Sequence, residues 1–218
     1  MSMSTETASV VMLGAGGHAR VLVQALYDFG VNVEGFVAPQ AEGSRLGTIP
    51  WLGDDNALPE LDPDIAVVNG IGSVGSTQNR ASVYASALSA GLRFHTVIHP
   101  KATLDSTARV GSGAQILAGS VVGVGAVVGT DAVVNSGAII DHDSTIGMHA
   151  HIGPGAILAG DVVVGDGSHI GMGARVIQGV TIGELCVVGA GAVVLEDVPN
   201  GCTVVGVPAK HTAVRKGS

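Results

Sequence analysis

Every sixth residue from Ile98 to Val194 is apolar, an unbroken series that begins Ile98, Leu104, Val110, Ile116 and continues in Val, Ile or Leu. Two positions before each member from Leu104 onward stands a small or slender residue, Ala in most repeats and otherwise Ser120, Ser144, Ser168, Val162, Val180 or Cys186. Nine members of the series are followed directly by Gly. A strict six-residue period predicts a parallel β-helix in which each hexad is one short strand and a turn. Three hexads close one triangular coil, so residues 98–194 make about five coils stacked at roughly 4.8 Å. Burial of each core side chain contributes about 1.5–3 kcal/mol, which offsets the conformational entropy of so many glycines.

Ahead of the hexads the pattern changes. Residues 9–13, an apolar run, end at Gly14-Ala15-Gly16-Gly17-His18, and residues 19–29 place Val21, Leu22, Ala25 and Leu26 on one side of a helix. This predicts strand, Gly-rich turn, helix. Further strands are expected at 33–37, 65–68 and 93–97 and a second helix over 78–90, an alternation that gives a small Rossmann-like parallel sheet. Residues 39–63, rich in Gly, Pro and Asp, are expected to be mostly loop. The chain therefore divides into an α/β domain, 1–96, and a β-helix domain, 97–218. Past Val194 the register ends in a turn-rich segment, and residues 204–210 predict one last strand.

Two domains suit a chain of 218 residues, and an aromatic content of 3% suits a narrow prism filled by Val, Ile, Leu and Ala. A net charge of -8 argues against nucleic acid or an anionic membrane as partner. Residues 114–134 are hydrophobic enough to suggest a membrane span, but they are Gly-laden, keep the hexad register and carry Asp131. The start, MSMSTETASV, lacks the pattern of a signal peptide, and two cysteines give no disulfide framework. The expectation is a soluble cytoplasmic protein with no membrane insertion, in which Cys186 is a core thiol.

The glycine string fits G-x-G-x-x-G/A between a strand and a helix, so backbone N–H groups at the helix start can cradle phosphate. A dinucleotide site also wants an acidic residue after the second strand, where Val37-Ala38-Pro39 stands, and a larger domain. A nucleotide-linked or phosphorylated substrate fits better than a mere tight turn, and a redox cofactor fits least. His142 lies two residues past core Ile140 and projects from a coil edge, and Gly160, eighteen residues on, stacks beside it and leaves an open slot. An imidazole there can act as general base, oriented by Asp143 or Asp141; the alternative is a solvated turn histidine. His151 and His169, also eighteen apart, stack on one outward column. With His149 they suggest a metal site, but the absence of a further ligand in the column favours a polar wall of an interface cleft.

These motifs together resemble a known family. The chain is similar over nearly its whole length to bacterial sugar acetyltransferases of the sialic acid O-acetyltransferase type. That group includes N-acetyltransferases acting on nucleotide-linked 4-amino-4,6-dideoxy sugars. The resemblance rests on Gly14 through Arg20, on Ile98-His99-Pro100-Lys101-Ala102, on residues 135–143 around His142, and on Gly206-Val207-Pro208-Ala209-Lys210. It implies a left-handed β-helix, a homotrimer and acetyl-CoA as cosubstrate between neighbouring helices, with no metal. His142 would be the catalytic base and Asp143 the residue that tunes it. His151 and Gly160, with Met172 and Ala190, would line the acetyl-CoA site, and Gly16, Gly17 and His18, with Gly72, would contact the nucleotide sugar. Some relatives have acidic residues where this chain has Ala38 and Pro39, which points away from uridine and toward a base such as guanosine. The function expected is N-acetylation of a GDP-perosamine-like amino sugar for surface polysaccharide synthesis. Sugar O-acetylation, a γ-type carbonic anhydrase and a non-catalytic β-helix are the alternatives.

Overall fold

The computed structural model describes residues 9–44 and 46–212. All but the last two residues of the segment read as lacking a signal peptide, and the final six residues of the chain, lie outside them.

Alternation along β1 (Ser9–Leu13) sets the first layer: Val10 and Met12 face one side, Val11 and Leu13 the other. On the first side packs α1 (Gly17–Asp28) through Ala19, Leu22 and Leu26; on the second packs the helix Gln78–Ser89, through Tyr84 and Ala87. Between the helices runs a five-stranded parallel sheet. Its members are β1, β2 (Asn32–Val37), β3 (Trp51–Gly53), β4 (Ala66–Asn69) and β5 (Arg93–Phe94), in the order β3-β2-β1-β4-β5. The helix Gln78–Ser89 is α2. The chain leaves β1 through α1 and β4 through α2, toward opposite sides of the sheet, so a crevice opens beyond the carboxyl ends of β1 and β4.

Two expectations for this half need correction. The first helix starts at Gly17, two residues early, because the glycine turn itself enters the helix. Residues 39–63 are mostly loop as expected, although they also contain β3 and a 3-10 helix, Asp55–Glu60. A three-residue edge strand is too short to display a period of two. It is held instead by Ala38 N–H donating to Gly53 O (3.0 Å) and by Trp51 Nε1–H donating to Ala38 O (3.0 Å). The run 93–97 divides, since β5 ends at Phe94 and Val97–Ile98 pairs with Gln115–Ile116 of the β-helix.

From Val97 each hexad is a two-residue strand and a turn, and strands pair in parallel with those eighteen residues away, as in Val121↔Ile139↔Ile157. Three flat faces result. Face I carries Gln115, Val133, His151 and His169 outward, face II carries Val121, Ile139, Ile157, Arg175 and Val193, and face III carries Arg109, Val127, Thr145, Val163 and Thr181. The second residue of each strand points inward, and from Ile116 to Val194 these are buried. Glycine recurs after them for a steric reason: a Cβ on Gly129, Gly165 or Gly171 would stand 2.8, 2.5 and 2.5 Å from backbone of the next coil. The tail corrects the last expectation. Thr203–Val205 continues face I, but the chain then reverses at Gly206 (φ 95°) and Lys210–His211 returns antiparallel, two strands instead of one.

The α/β unit sits on face I. Val97 and Leu117 join the α1 core, and Tyr84 of α2 stacks on Phe94 at 3.9 Å. No helix among the described residues is long and apolar enough to cross a membrane.

Candidate functional site

The hexad register places His142 on the edge between faces II and III, half exposed. Its backbone N–H donates to Asp141 Oδ1 at 2.7 Å, so Asp141 is a turn residue as its position suggested. Asp143 follows with φ 57°, a left-handed backbone that aspartate tolerates better than most residues, and its Oδ2 lies 2.9 Å from His142 Nδ1. A carboxylate only accepts, so Nδ1 carries the proton and Nε2 keeps its lone pair free. The Asp143 hydrogen bond, aided by the charges of Asp141, Asp143 and Asp161, holds the imidazole pKa above its ordinary value.

Gly160 stacks against this ring. A Cβ there would overlap Cε1 and Nε2 of His142, so glycine leaves open the space in front of the free nitrogen. The next residue, Asp161, donates its N–H to His142 O at 3.0 Å, locking the two coils in register. An electrophile lying over Gly160 can thus meet a proton acceptor on one side.

The other predicted residues gather elsewhere. Met172 is exposed on the edge between faces I and II, and Ala190 stands one coil below it, its N–H adjacent to Gly171. Gly16 and Gly17 are exposed at the start of α1, and a Cβ on Gly16 would meet nothing. His18, in the first turn of α1, passes over face I, where its Nε2–H donates to Gln115 Oε1 at 2.7 Å. Gly72 lies against it: a Cβ there would approach His18 Cβ to 3.1 Å. Burial, followed by the nearby Arg80 charge, pushes the His18 pKa down to about 4.

His151 is 5% exposed and lies under the loop that follows β4. Asn135 Nδ2 donates to its Nε2 at 3.1 Å, which leaves Nδ1–H to bond Ser73 Oγ. Both ring nitrogens are spent, and burial, then His169, His18 and Arg80, hold the pKa down at about 3. The expected stacking on His169 is present, with ring centroids 5.1 Å apart. His149 does not join them, because its Nδ1 turns to Asp131 Oδ2 at 2.9 Å. Among the described residues no three His, Cys, Asp or Glu side chains converge as metal ligands. Cys186 is buried, its thiol 3.0 Å from Pro199 O.

Sequence reasoning missed the network beneath these groups. Arg80 of α2, fully buried, bonds Asp131 Oδ1 at 2.6 Å and donates to the carbonyls of Asn69 (3.1 Å) and Ile71 (2.9 Å). Asn69 Nδ2 donates to Asp131, and Gln115 Nε2 donates to Asn69 O at 2.7 Å. The loop carrying Gly72 and Ser73 is thereby tied to the β-helix. The one signal in the sequence is Gln115, a polar residue on an outward column otherwise filled by Val and His.

Two family models match the chain: the PglD N-terminal domain at residues 9–87 and the bacterial transferase hexapeptide (six repeats) at residues 161–196. A histidine-to-asparagine mutant of perosamine N-acetyltransferase from Caulobacter crescentus, in complex with CoA and GDP-perosamine, is similar at 36% identity and a TM-score of 0.87, covering 94% of this chain and 97% of that one. The acetyltransferase domain of PglB from Neisseria gonorrhoeae FA1090, in complex with acetyl coenzyme A, is similar at 35% identity and a TM-score of 0.85, covering 94% and 100%. WeeI from Acinetobacter baumannii AYE, at 23% identity, a TM-score of 0.78 and coverage of 94% and 100%, shares the fold. No curated protein matches the chain. The architecture held in common is a Rossmann-like sheet followed by a left-handed β-helix.

Proposed function

Since the chain belongs to the family of bacterial acetyltransferases that includes perosamine N-acetyltransferase, we propose that it moves the acetyl group of acetyl-CoA onto the amine of a nucleotide-linked amino sugar. A 4-amino-4,6-dideoxy sugar of the GDP-perosamine kind is the substrate we favour. The observation that carries the reading is the His142–Asp143 pair with Gly160 in front of the free Nε2. The amine nitrogen bonds to the thioester carbon and its proton passes to Nε2; the C–S bond then breaks, and the proton leaves with the CoA thiol. Gly160 N–H, which has no protein acceptor among the described residues, is placed to donate to the oxyanion.

The geometry also argues for the trimer. His142, Asp143 and Gly160 stand on the edge between faces II and III, opposite face I, where the α/β unit, His18 and Gly72 sit. Met172 and Ala190 line the edge between faces I and II. One copy therefore cannot bring its own sugar-nucleotide loop to its own His142. Both half-sites flank face II, whose outward side chains Val121, Ile139 and Ile157 form an uninterrupted apolar, half-buried run above Arg175, whereas on face III Val127 and Val163 alternate with Arg109, Thr145 and Thr181. A closed ring of three with face II turned inward joins the edge of each copy to the other edge of its neighbour. His151, with both nitrogens engaged, then serves as a wall of the cleft and not as a polar contact to acetyl-CoA.

Two measurements test this. Thiol release from acetyl-CoA is followed with amino and hydroxyl sugar nucleotides; release only with hydroxyl acceptors would replace N- by O-acetylation. Co-expression of a His142→Ala chain with a chain disabled at the sugar-nucleotide loop by Gly72→Trp restores activity if the half-sites come from different copies, and leaves it lost if each chain works alone.

A further inference from the structure

The reading above favours a GDP-linked sugar without naming any residue that reads the base, and the inference here rests on that reading. The crevice beyond β1 and β4 deepens into a cavity of about 100 Å³, open to solvent on one side. Ile71 and Val83 line it from the end of β4 and from α2, and Pro39 and Leu58 from the end of β2 and from the 3-10 helix; Gly14 lies between these in the sheet order. Two apolar walls separated by a strand end make a slot for a flat ring. Two polar side chains reach it, Asp55 and Asn79.

Their chemistry is selective. Asp54, not Asp55, caps the 3-10 helix by accepting from Asn56 N and Nδ2, both at 3.0 Å, so the Asp55 carboxylate makes no hydrogen bond among the described residues, and neither does Asn79. The backbone at the rim offers few donors: Pro39 has none, Ala38 N–H is spent on Gly53 O (3.0 Å), Gly14 N–H on Val37 O (2.7 Å) and Ile71 N–H on Asn69 Oδ1 (3.2 Å). The pocket thus presents a two-oxygen acceptor and a single amide. Guanine is the one common base with two adjacent donors, N1–H and N2–H₂, on its pairing edge. Uracil and thymine carry one N–H flanked by two carbonyls, which a carboxylate repels, and adenine and cytosine set a ring-nitrogen acceptor beside their single amino group.

We propose that Asp55 reads guanine by accepting from N1–H and N2–H₂ while Asn79 donates to the O6/N7 edge, making this chain selective for GDP-linked sugars. The test is calorimetric titration of the full chain with GDP, UDP, dTDP and ADP, repeated on Asp55→Asn, with acetyl-CoA binding as the check that the variant is folded. GDP is expected to bind at least tenfold tighter than the other three. Asp55→Asn, which turns one acceptor into a donor, is expected to weaken GDP by about 5- to 150-fold while sparing acetyl-CoA. Equal affinity for UDP or dTDP in the native chain, or undiminished GDP affinity in Asp55→Asn, overturns the assignment. Selective GDP binding without acetyl transfer would sink the enzyme reading and keep the base assignment; efficient acetyl transfer to a UDP-linked sugar does the opposite.

Discussion

At the scale of the residue, catalysis depends on which nitrogen of His142 is free. Because Asp143 takes the Nδ1 proton, replacing His142 with Ala removes the acceptor and little binding surface. We expect kcat to fall by about 10²–10⁴ with KM for acetyl-CoA nearly unchanged, checked by steady-state kinetics. The base works unprotonated and its pKa is raised, chiefly by Asp143, so activity climbs with pH on a limb lying above the ordinary histidine value of 6.5. Asp143→Asn removes that hydrogen-bonded charge, and the limb should move to lower pH; a limb that stays in place would free Asp143 of the role. Gly160→Val is expected to abolish transfer while the thermal melt and oligomer mass stay native, since the atoms nearest the added Cβ belong to the half-exposed His142 ring and not to backbone. The pairing of His142 with Gly160 was legible in the sequence because an eighteen-residue spacing is a contact in a three-hexad coil. The spent nitrogens of His151 were not, because Ser73 reaches it from 78 positions away.

At the scale of the element, the hexads were readable throughout because each carries its own core residue, and the glycines that directly follow core residues answer a close approach of the next coil. Short pieces without a period, β3 and the 3-10 helix, escaped, although they hold one side of the cavity. The contact between the two units escaped as well, since Arg80 on α2 and Asp131 on a coil turn meet only after both have folded. Arg80 is pulled toward a lower pKa by burial and held charged by Asp131. Breaking such a pair leaves an uncompensated buried charge, so Arg80→Met or Asp131→Asn should cost about 3–5 kcal/mol, measured by urea unfolding. Because Arg80 also holds the carbonyls of Asn69 and Ile71, the same variants should weaken sugar-nucleotide binding more than acetyl-CoA binding; equal losses for both would assign Arg80 to stability alone.

At the scale of the whole molecule, face I is a seam of neutral histidines. The unfolded chain protonates His18 and His151 near 6.5, whereas the folded chain holds them at about 4 and about 3. The unfolded state thus binds more protons in between, and stability falls as the pH drops below about 6.5, by about 1.4 kcal/mol per pH unit for each histidine. Chemical denaturation at pH 7, 6 and 5 checks this, and a flat profile would contradict the burial of the seam. His151→Gln should flatten part of the slope.

The eighteen-residue coil has a consequence for how such a chain can change its length. His142 and Gly160 are neighbours only because one full circuit separates them. Removing or adding a single hexad above His142 turns everything before it by a third of a revolution, so the α/β unit would be carried from face I to another side of the prism, out of reach of its neighbour's base. Removing or adding three hexads at once leaves every column aligned and only alters the height at which the sugar is delivered. Insertions and deletions in this molecule are therefore quantised: lengths that are multiples of eighteen preserve the angular address of the two half-sites, and the shorter multiples of six scramble it while leaving the apolar stack intact.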